Sequence, residues 1–408
     1  MVFSTPGRFV GIKTIKITKT IVIMSIFSKI KTRIWRVRDR IGIIKTWMED
    51  NIPFYRHYRL YKIYSRQYKH YLELQHFEDK KADGEEAYLQ KWKALSPRVE
   101  PYSYRFFSHY LGYTPNIIPE DIGRTYIEDV LNPLALRPVY YDKNLFPEII
   151  GKENVPRTIV CRINGSQLLN AEYKLAEKEL SEYIGEAENL ILKPTVGSCS
   201  GRGIIKFVKK GNAFVSTDGK TTLSKAFLES YHENFCLQEA VYQHDFMNKL
   251  CPTSVNTIRL CLYRSVKNEK PKVTASIIRI GKNGAFVDNA CAGGMFIGVN
   301  VATGEMGKFV IDHFGNKKNV WNNIDFSQNT FIVPNWQEVI AFAEYVGNRI
   351  HHHRLIALDI ALNKDGKPIL IEYNIDWFSF WLYEYTNQEV FGEYLDEIID
   401  YCKKKKQH

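Results

Sequence analysis

The residues best placed to do chemistry are Asp359, Glu372 and Asn374, carried on the run LIALDIALNKDGKPILIEYN at 355–374. LIALDIAL reads as a buried strand, NKDGK as a turn and PILIEYN as a second strand. Asp365-Gly366 predicts a two-residue hairpin turn, which needs positive φ at both central positions. With the turn there, residue 364 pairs with 367, and counting outward sets Asp359 opposite Glu372. A four-residue turn shifts the pairing to Leu370 and leaves Asp359 diagonal to Glu372. Side chains alternate along a strand, so Glu372, Asn374 and Asp359 share one face. Two carboxylates and an amide oxygen there make a hard site suited to Mg²⁺ carrying nucleotide phosphates. An apolar hairpin should not bury carboxylates without a cation. The competing reading is that both acids pair with lysines or face water.

A second constellation is ILKPTVGSCSGRGIIKF at 191–207, two apolar strands around a loop with Gly197, Gly201 and Gly203. Such a loop can set backbone N–H groups against phosphate oxygens, with Lys193 as a point charge. No GK[ST] is present and a strand follows, so this is not a Walker A loop; an ordinary tight turn is the plainer alternative. A third is NFCLQEAV at 234–241 followed by SVNTIRLCLY at 254–263, where Glu239, Asn256 and Arg259 interrupt apolar strands. An arginine facing a Mg²⁺ site suits phosphoryl transfer; a structural Arg–Glu pair would leave the same pattern.

The elements that must position these residues belong to a chain of 408 residues, 45% hydrophobic, with a net charge of +11. That length allows two or three subdomains with proper cores, and no segment reaches the roughly 20 apolar residues of a membrane span. Eleven Lys/Arg against three Asp/Glu in residues 1–50, and the tail Lys403–Lys406, account for the whole excess. The body is nearly neutral, which argues against a nucleic-acid groove. The seven cysteines have no metal spacing and several lie in apolar runs, so reduced, packed thiols in a cytoplasmic protein are expected.

Phe27, Ile30, Ile34, Val37, Ile41, Ile44 and Met48 recur at alternating three- and four-residue steps among basic residues, with Trp35 and Trp47 nearby. This basic amphipathic helix, residues 25–48, could lie on an anionic membrane surface or pack its stripe on protein. The second is slightly favoured. The first 23 residues have no adequate signal-peptide core, and Met24 is a candidate start. Tyrosines spaced mostly by three between Tyr55 and Tyr71 read as a packing face of a helix, and KKADGEE at 80–86 as a loop between helices. In His351–His353, neighbouring side chains point about 100° apart on a helix, so one can line a cleft while the others face solvent.

Beyond Tyr141, strands are expected at 157–163, 189–195, 203–209, 235–241, 255–264, 272–280, 355–362 and 368–374. Helices are expected at 166–184, 220–232 and 335–352. The sheets read as mostly antiparallel with helices beside them, an α+β or mixed α/β arrangement. Four parts are expected: a basic segment 1–50, a helical aromatic-rich region 51–135, a domain of strands and helices at 136–402, and a basic tail 403–408.

The ordered set SYRFFSHYLGY, LNP, DKN, LKPTVGSCSGRG, SVNTIRL, VDNACAGG and LDIALNKDGKPILIEYN resembles the ATP-grasp superfamily over roughly 100–400. It is most similar to the sugar-transfer-associated ATP-grasp proteins of bacterial polysaccharide loci. The resemblance implies two α+β subdomains closing on ATP. It implies that Lys143 and Lys193 hold phosphates, with Lys193 also near the adenine. Gly197, Ser198, Gly201 and Gly203 would form the lid, although Cys199 and Arg202 depart from its commonest glycine-dense form. Glu239 and Val241, at a hinge near 236–242 in the ATP-grasp domain, would receive the adenine, and Arg259 would contact the γ-phosphate or an acyl phosphate. Asp359, Glu372 and Asn374 would bind Mg²⁺, and Asn289, Gly293 and Gly294 would line the acceptor side.

The function implied is an ATP- and Mg²⁺-dependent carboxylate–amine ligase working on a small-molecule carboxylate and an amine or sugar. The acceptor would belong to cell-surface polysaccharide synthesis. A phosphotransferase acting on a hydroxyl would need nearly the same cleft. A nucleotide-binding scaffold for glycan-assembly enzymes is the non-enzymatic alternative, and the complete set of charged residues argues against it. The expected setting is the cytoplasm, with peripheral contact at the inner membrane face if residues 25–48 bind lipid.

Overall fold

Apolar runs broken by glycine, asparagine and proline dictate most of the architecture. The computed structural model describes residues 48, 52–196, 203–231, 234–284, 288 and 293–406. The stripe at 25–47, the lid residues Gly197, Ser198 and Gly201, and Asn289 lie outside the described residues. The chain divides into two compact units, Met1–Leu60 and Tyr61–His408. The second contains both major sheets and every candidate residue that is described.

Helix α1 (Pro53–Leu74) is followed by α2 (Glu85–Trp92) and α3 (Tyr102–Leu111), then by short helical turns to residue 154. The tyrosine spacing is a packing face: Tyr68 is buried, its ring 5.8 Å from Phe106 and 5.2 Å from Phe107. No described helix is long and apolar enough to cross a membrane.

Five strands form the first sheet, β1 (Thr158–Arg162), β2 (Asn189–Pro194), β3 (Ile205–Lys210), β4 (Ala213–Ser216) and β5 (Phe235–Glu239), in the order β1-β5-β2-β3-β4. Leu190, Leu192, Phe207 and Leu237 build its core with Leu228 of α5 (Lys225–Ser230). That helix is shorter than the expected 220–232 because Ser224 caps it, accepting from the Phe227 N–H at 3.1 Å. The helix expected over 166–184 is only α4, Leu180–Ile184. Asn170 Oδ1 instead accepts from the N–H groups of Glu172 and Lys174, and Leu169 bridges to Cys161. Such asparagine turns compete directly with helix.

The second sheet contains β6 (Thr257–Arg264), β7 (Pro271–Ile280), β8 (Met295–Gly298), β9 (Val310–Ile311) and β10 (Lys317–Lys318). After a small hairpin, β11 (Val320–Trp321) and β12 (Ile324–Asp325), it is completed by β13 (Leu355–Leu362) and β14 (Pro368–Asn374). Its order is β10-β9-β8-β7-β6-β13-β14. Helix α6 (Asp245–Leu250) and α7 (Trp336–Arg349) cover one face, Val339 and Val346 packing with Leu260, Leu262, Leu358 and Ile360. Helices α8 (Trp381–Glu384) and α9 (Leu395–Lys406) end the chain.

The β13–β14 turn differs from the two-residue form expected. Gly366 has φ 81 and Asp365 is not in the left-handed region. Asn363 N–H donates to Lys367 at 2.9 Å, closing a three-residue loop, and Ile360 pairs with Leu370. A bulge at Ile371 then shifts the register by one, and Asp359 lies opposite Glu372 after all.

In the histidine triplet His351 and His352 are exposed as expected, while the third is enclosed instead of lining a cleft. His353 is fully buried, 5.0 Å from the Tyr140 ring, and His352 Nδ1 is 2.8 Å from the Tyr140 hydroxyl.

Candidate active site

Asp359 sits on β13 between two charged neighbours in register, Arg259 on β6 and Glu372 on β14. The carboxylate is buried, with Arg259 Nε 3.2 Å from Oδ1 and an Arg279 terminal nitrogen 3.8 Å from Oδ2. Asn374 Nδ2 approaches Oδ2 at 3.4 Å. Burial pushes the Asp359 carboxyl up, Glu372 and Asp288 add to that, and Arg259 and Arg279 oppose it.

Lysines come from the other sheet and its flank. Lys143 lies in the turn Lys143–Leu145, shaped by Asp142, whose Oδ1 accepts from the Asn144 N–H at 2.9 Å. The Lys143 N–H donates to the Thr195 carbonyl at 3.2 Å, just past β2. Its Nζ reaches across to Glu372 Oε1 at 2.9 Å. Lys193, on β2 opposite Cys236, is buried; burial lowers its pKa, with Lys143 adding to the effect. Burial would raise the Glu372 carboxyl, but Lys143, Lys193 and Arg259 outweigh it and hold it below its usual range.

Six of the expected residues therefore converge: Lys143, Lys193, Arg259, Asp359, Glu372 and Asn374. Glu239 and Val241 do not join them. They line a pocket of about 280 Å³ with Val155, Arg157, Tyr242 and Ile369. The Glu239 carboxylate there is paired with Arg157 at 2.8 Å. Leu190 faces Glu239 and Lys193 faces Cys236, so pocket and lysine are three residues apart along β2, about 10 Å.

Gly203 has φ 75 and lies against the lysine strand, where a Cβ would meet Pro194 Cγ at 2.9 Å. Its carbonyl accepts from the Tyr231 hydroxyl. Gly293, φ 86, and Gly294 lead into β8.

Two residues of this centre escaped the sequence reading. Arg279 on β7 donates from Nε to Thr257 Oγ1 at 3.0 Å and lies 3.1 Å from Asp288 Oδ1. Asp288 Oδ2 accepts from the Thr257 N–H at 3.0 Å and its hydroxyl at 2.5 Å. Arg279 carried the same signal as Arg259, an arginine inside an apolar run.

The donor set fits a hard divalent cation. Asp359 Oδ1 is buried without a hydrogen bond, and Glu372 and Asn374 share its face. Among the described residues no group of three or more His, Cys, Asp or Glu could hold a metal. Mg²⁺ would thus take only two carboxylates and an amide from the protein, which suits an ion that keeps water and phosphate ligands.

Two antiparallel sheets, one bringing lysines and the other carboxylates to a shared centre, define an ATP-grasp protein. The chain belongs to the sugar-transfer associated ATP-grasp family, whose sequence model matches residues 123–399. No curated protein sequence matches it. Similar solved structures include an ADP complex of N5-carboxyaminoimidazole ribonucleotide synthetase at 15% identity, covering 59% of this chain and 46% of that one, TM-score 0.32. The D-alanine-D-alanine ligase from Coxiella burnetii is 10% identical, with coverages of 66% and 59% and TM-score 0.35. Biotin carboxylase from Campylobacter jejuni is 12% identical, with coverages of 67% and 48% and TM-score 0.39. The chain spans about half the length of these proteins.

Proposed function

We propose that the protein is an ATP- and Mg²⁺-dependent carboxylate–amine ligase that works through an acyl phosphate on a precursor of a cell-surface polysaccharide. The observation that carries the reading is the Lys143–Glu372 pair at 2.9 Å, set beside buried Lys193 and Asp359. Lys143 and Lys193 bind the phosphates, with Gly197, Ser198, Gly201 and Gly203 as the lid. Glu239 and Val241 receive the adenine. Asp359, Glu372 and Asn374 would hold Mg²⁺, which supplies charge neutralisation between phosphates.

Arg259 orients the γ-phosphate toward the acceptor carboxylate and stabilises the charge that spreads over the transferred group. The carboxylate oxygen takes the phosphoryl group and ADP leaves. The amine nitrogen then attacks the acyl carbon, phosphate departs, and the amine proton passes to solvent. Asn289, Gly293 and Gly294 line the acceptor side. The polysaccharide setting rests on the family description.

Phosphorus NMR of the purified protein with Mg-ATP and a small-molecule extract of its host tests this. ADP and free phosphate that depend on extract and on Glu372 support ligation; a new phosphate-ester signal with little free phosphate identifies a kinase.

A further inference from the structure

Three residues beyond Asn374, one of the groups that would hold Mg²⁺, the chain holds a tryptophan in an uncommon state. Trp377 has φ 50, a left-handed conformation that bulky residues rarely adopt, yet its side chain remains 61% exposed. The strain is held from below by buried charge. Glu128, 1% exposed, accepts the Trp377 N–H on Oε1 and the Phe378 N–H on Oε2, each at 2.9 Å. The Arg124 guanidinium, itself buried, lies 4.7 Å from the centre of the tryptophan ring. Little of this arrangement is explained by hydrophobic burial, because the ring stays largely in water. Strained residues fixed by their surroundings cluster where ligands bind.

The position of the ring is equally specific. Asp376 Oδ2 accepts from the Tyr141 hydroxyl at 2.6 Å, and Tyr141 is two residues before Lys143. Trp381 packs 5.8 Å from Phe296, which follows Gly293-Gly294 on β8. The segment 376–381 is thus tied at one end to Tyr141, two residues before Lys143, and at the other to the strand leaving the expected acceptor loop.

We infer that Trp377 is the stacking plate of an acceptor subsite for a pyranose ring, with Asp376 and Tyr141 as its polar rim. One face of the indole already carries a guanidinium, so the open face suits the neutral C–H face of a sugar better than a second cation. Asp376 adjoins Trp377 in the chain, and its carboxylate, together with the phenol oxygen whose proton it holds, can accept from neighbouring sugar hydroxyls. The inference deepens the ligase reading and rests on it for the identity of the second substrate.

Saturation-transfer NMR tests it, using methyl β-D-glucopyranoside and methyl β-D-galactopyranoside as probes, each with and without Mg-ADP. Transfer to the ring protons of at least one pyranoside is expected, reduced about tenfold by W377A and largely kept by W377F. No pyranoside transfer, or equal transfer in W377A, overturns the plate. Transfer confined to a cationic probe, lysine methyl ester, and abolished by W377A also overturns the assignment to sugars. The ADP signals in the same samples judge the nucleotide reading separately: if ADP fails to bind, that reading falls, while the nucleotide-free pyranoside spectra still decide the plate.

Discussion

Lys143 Nζ lies 2.9 Å from Glu372 Oε1, so an ammonium tethered beside β2 rests on a carboxylate of the neighbouring sheet. Asp359 is matched in the same way by Arg259 at 3.2 Å. The acids that would receive Mg²⁺ are thus balanced by the cations that would receive phosphate. Arrival of the metal–nucleotide pair exchanges partners instead of creating buried charge.

Removing the ammonium should therefore damage turnover far more than folding. K143M is expected to lower kcat for ADP release about 100-fold, the usual loss for one charge-stabilising donor. Its melting temperature should fall only modestly: the ammonium removed is buried, but the Glu372 side chain left behind is 36% exposed and keeps Lys193 and Arg259 as neighbours. Steady-state ADP release and a thermal melt check both halves; a near-normal kcat would remove Lys143 from the phosphate site.

Gly203 gives a second test. Alanine there must adopt φ 75 and find room 2.9 Å from Pro194 Cγ, next to Lys193. G203A should lose about 1 kcal/mol of stability and raise the KM for ATP. G185A is the control, since Gly185 has φ 62 but nothing within 4 Å of the added Cβ. It should share the stability loss and leave KM unchanged. Equal KM values in the two variants would deny Gly203 any part in nucleotide binding.

Asp288 accepts from both the N–H and hydroxyl of Thr257 and pairs with Arg279. D288A leaves these donors without an acceptor, at a cost of about 1–3 kcal/mol. It should preserve the melting shift caused by Mg-ADP while depressing acceptor-dependent ADP release. Loss of the Mg-ADP shift would place Asp288 in the nucleotide site instead.

A pH dependence follows from the acids around the tryptophan clamp. Burial pushes the Glu128 carboxyl from 4.5 up to about 7, against the pull of Arg124 and Arg137. Burial also raises Glu100 and Asp121, each opposed by nearby N–H groups. Acids with folded pKa values above their free values bind protons more tightly when folded, so their contribution to stability falls as pH rises from 4.5 toward 7. Glu372, held low, acts in the opposite sense only below that window, while His353, which burial pushes down from 6.5 to about 4, opposes the slope up to pH 6.5 and offsets part of it. The protein should melt at a higher temperature at pH 5.5 than at pH 8 by this argument, on the order of a few degrees. E100Q should raise the melting temperature at pH 8 and flatten the slope; a melting temperature that climbs with pH would contradict this.

The sequence pattern located β13 and β14 to the residue, because an apolar run ended by turn-forming residues leaves few alternatives. It also set Asp359 opposite Glu372, but through a two-residue turn that does not form. The three-residue loop and the bulge at Ile371 offset each other, and a bulge depends on packing across strands that local pattern does not encode. The helix expected over 166–184 gave way to asparagine side chains bonding backbone, a competition that hydrophobic spacing does not register. Arg279 and Asp288 became visible only with the β6–β7 register, which sets Arg279 opposite Thr257. Trp377 had no pattern to announce it, since its meaning lies in a backbone angle and in Glu128, 249 residues earlier in the chain.

The central claim is an acyl phosphate formed at the Lys143–Glu372 centre, and hydroxylamine trapping addresses it directly. Protein, Mg-ATP and host extract should yield a hydroxamate together with equimolar ADP and phosphate, and E372Q should abolish all three. ATP consumed into a phosphate ester with no hydroxamate, or a hydroxamate yield untouched by E372Q, would contradict the account.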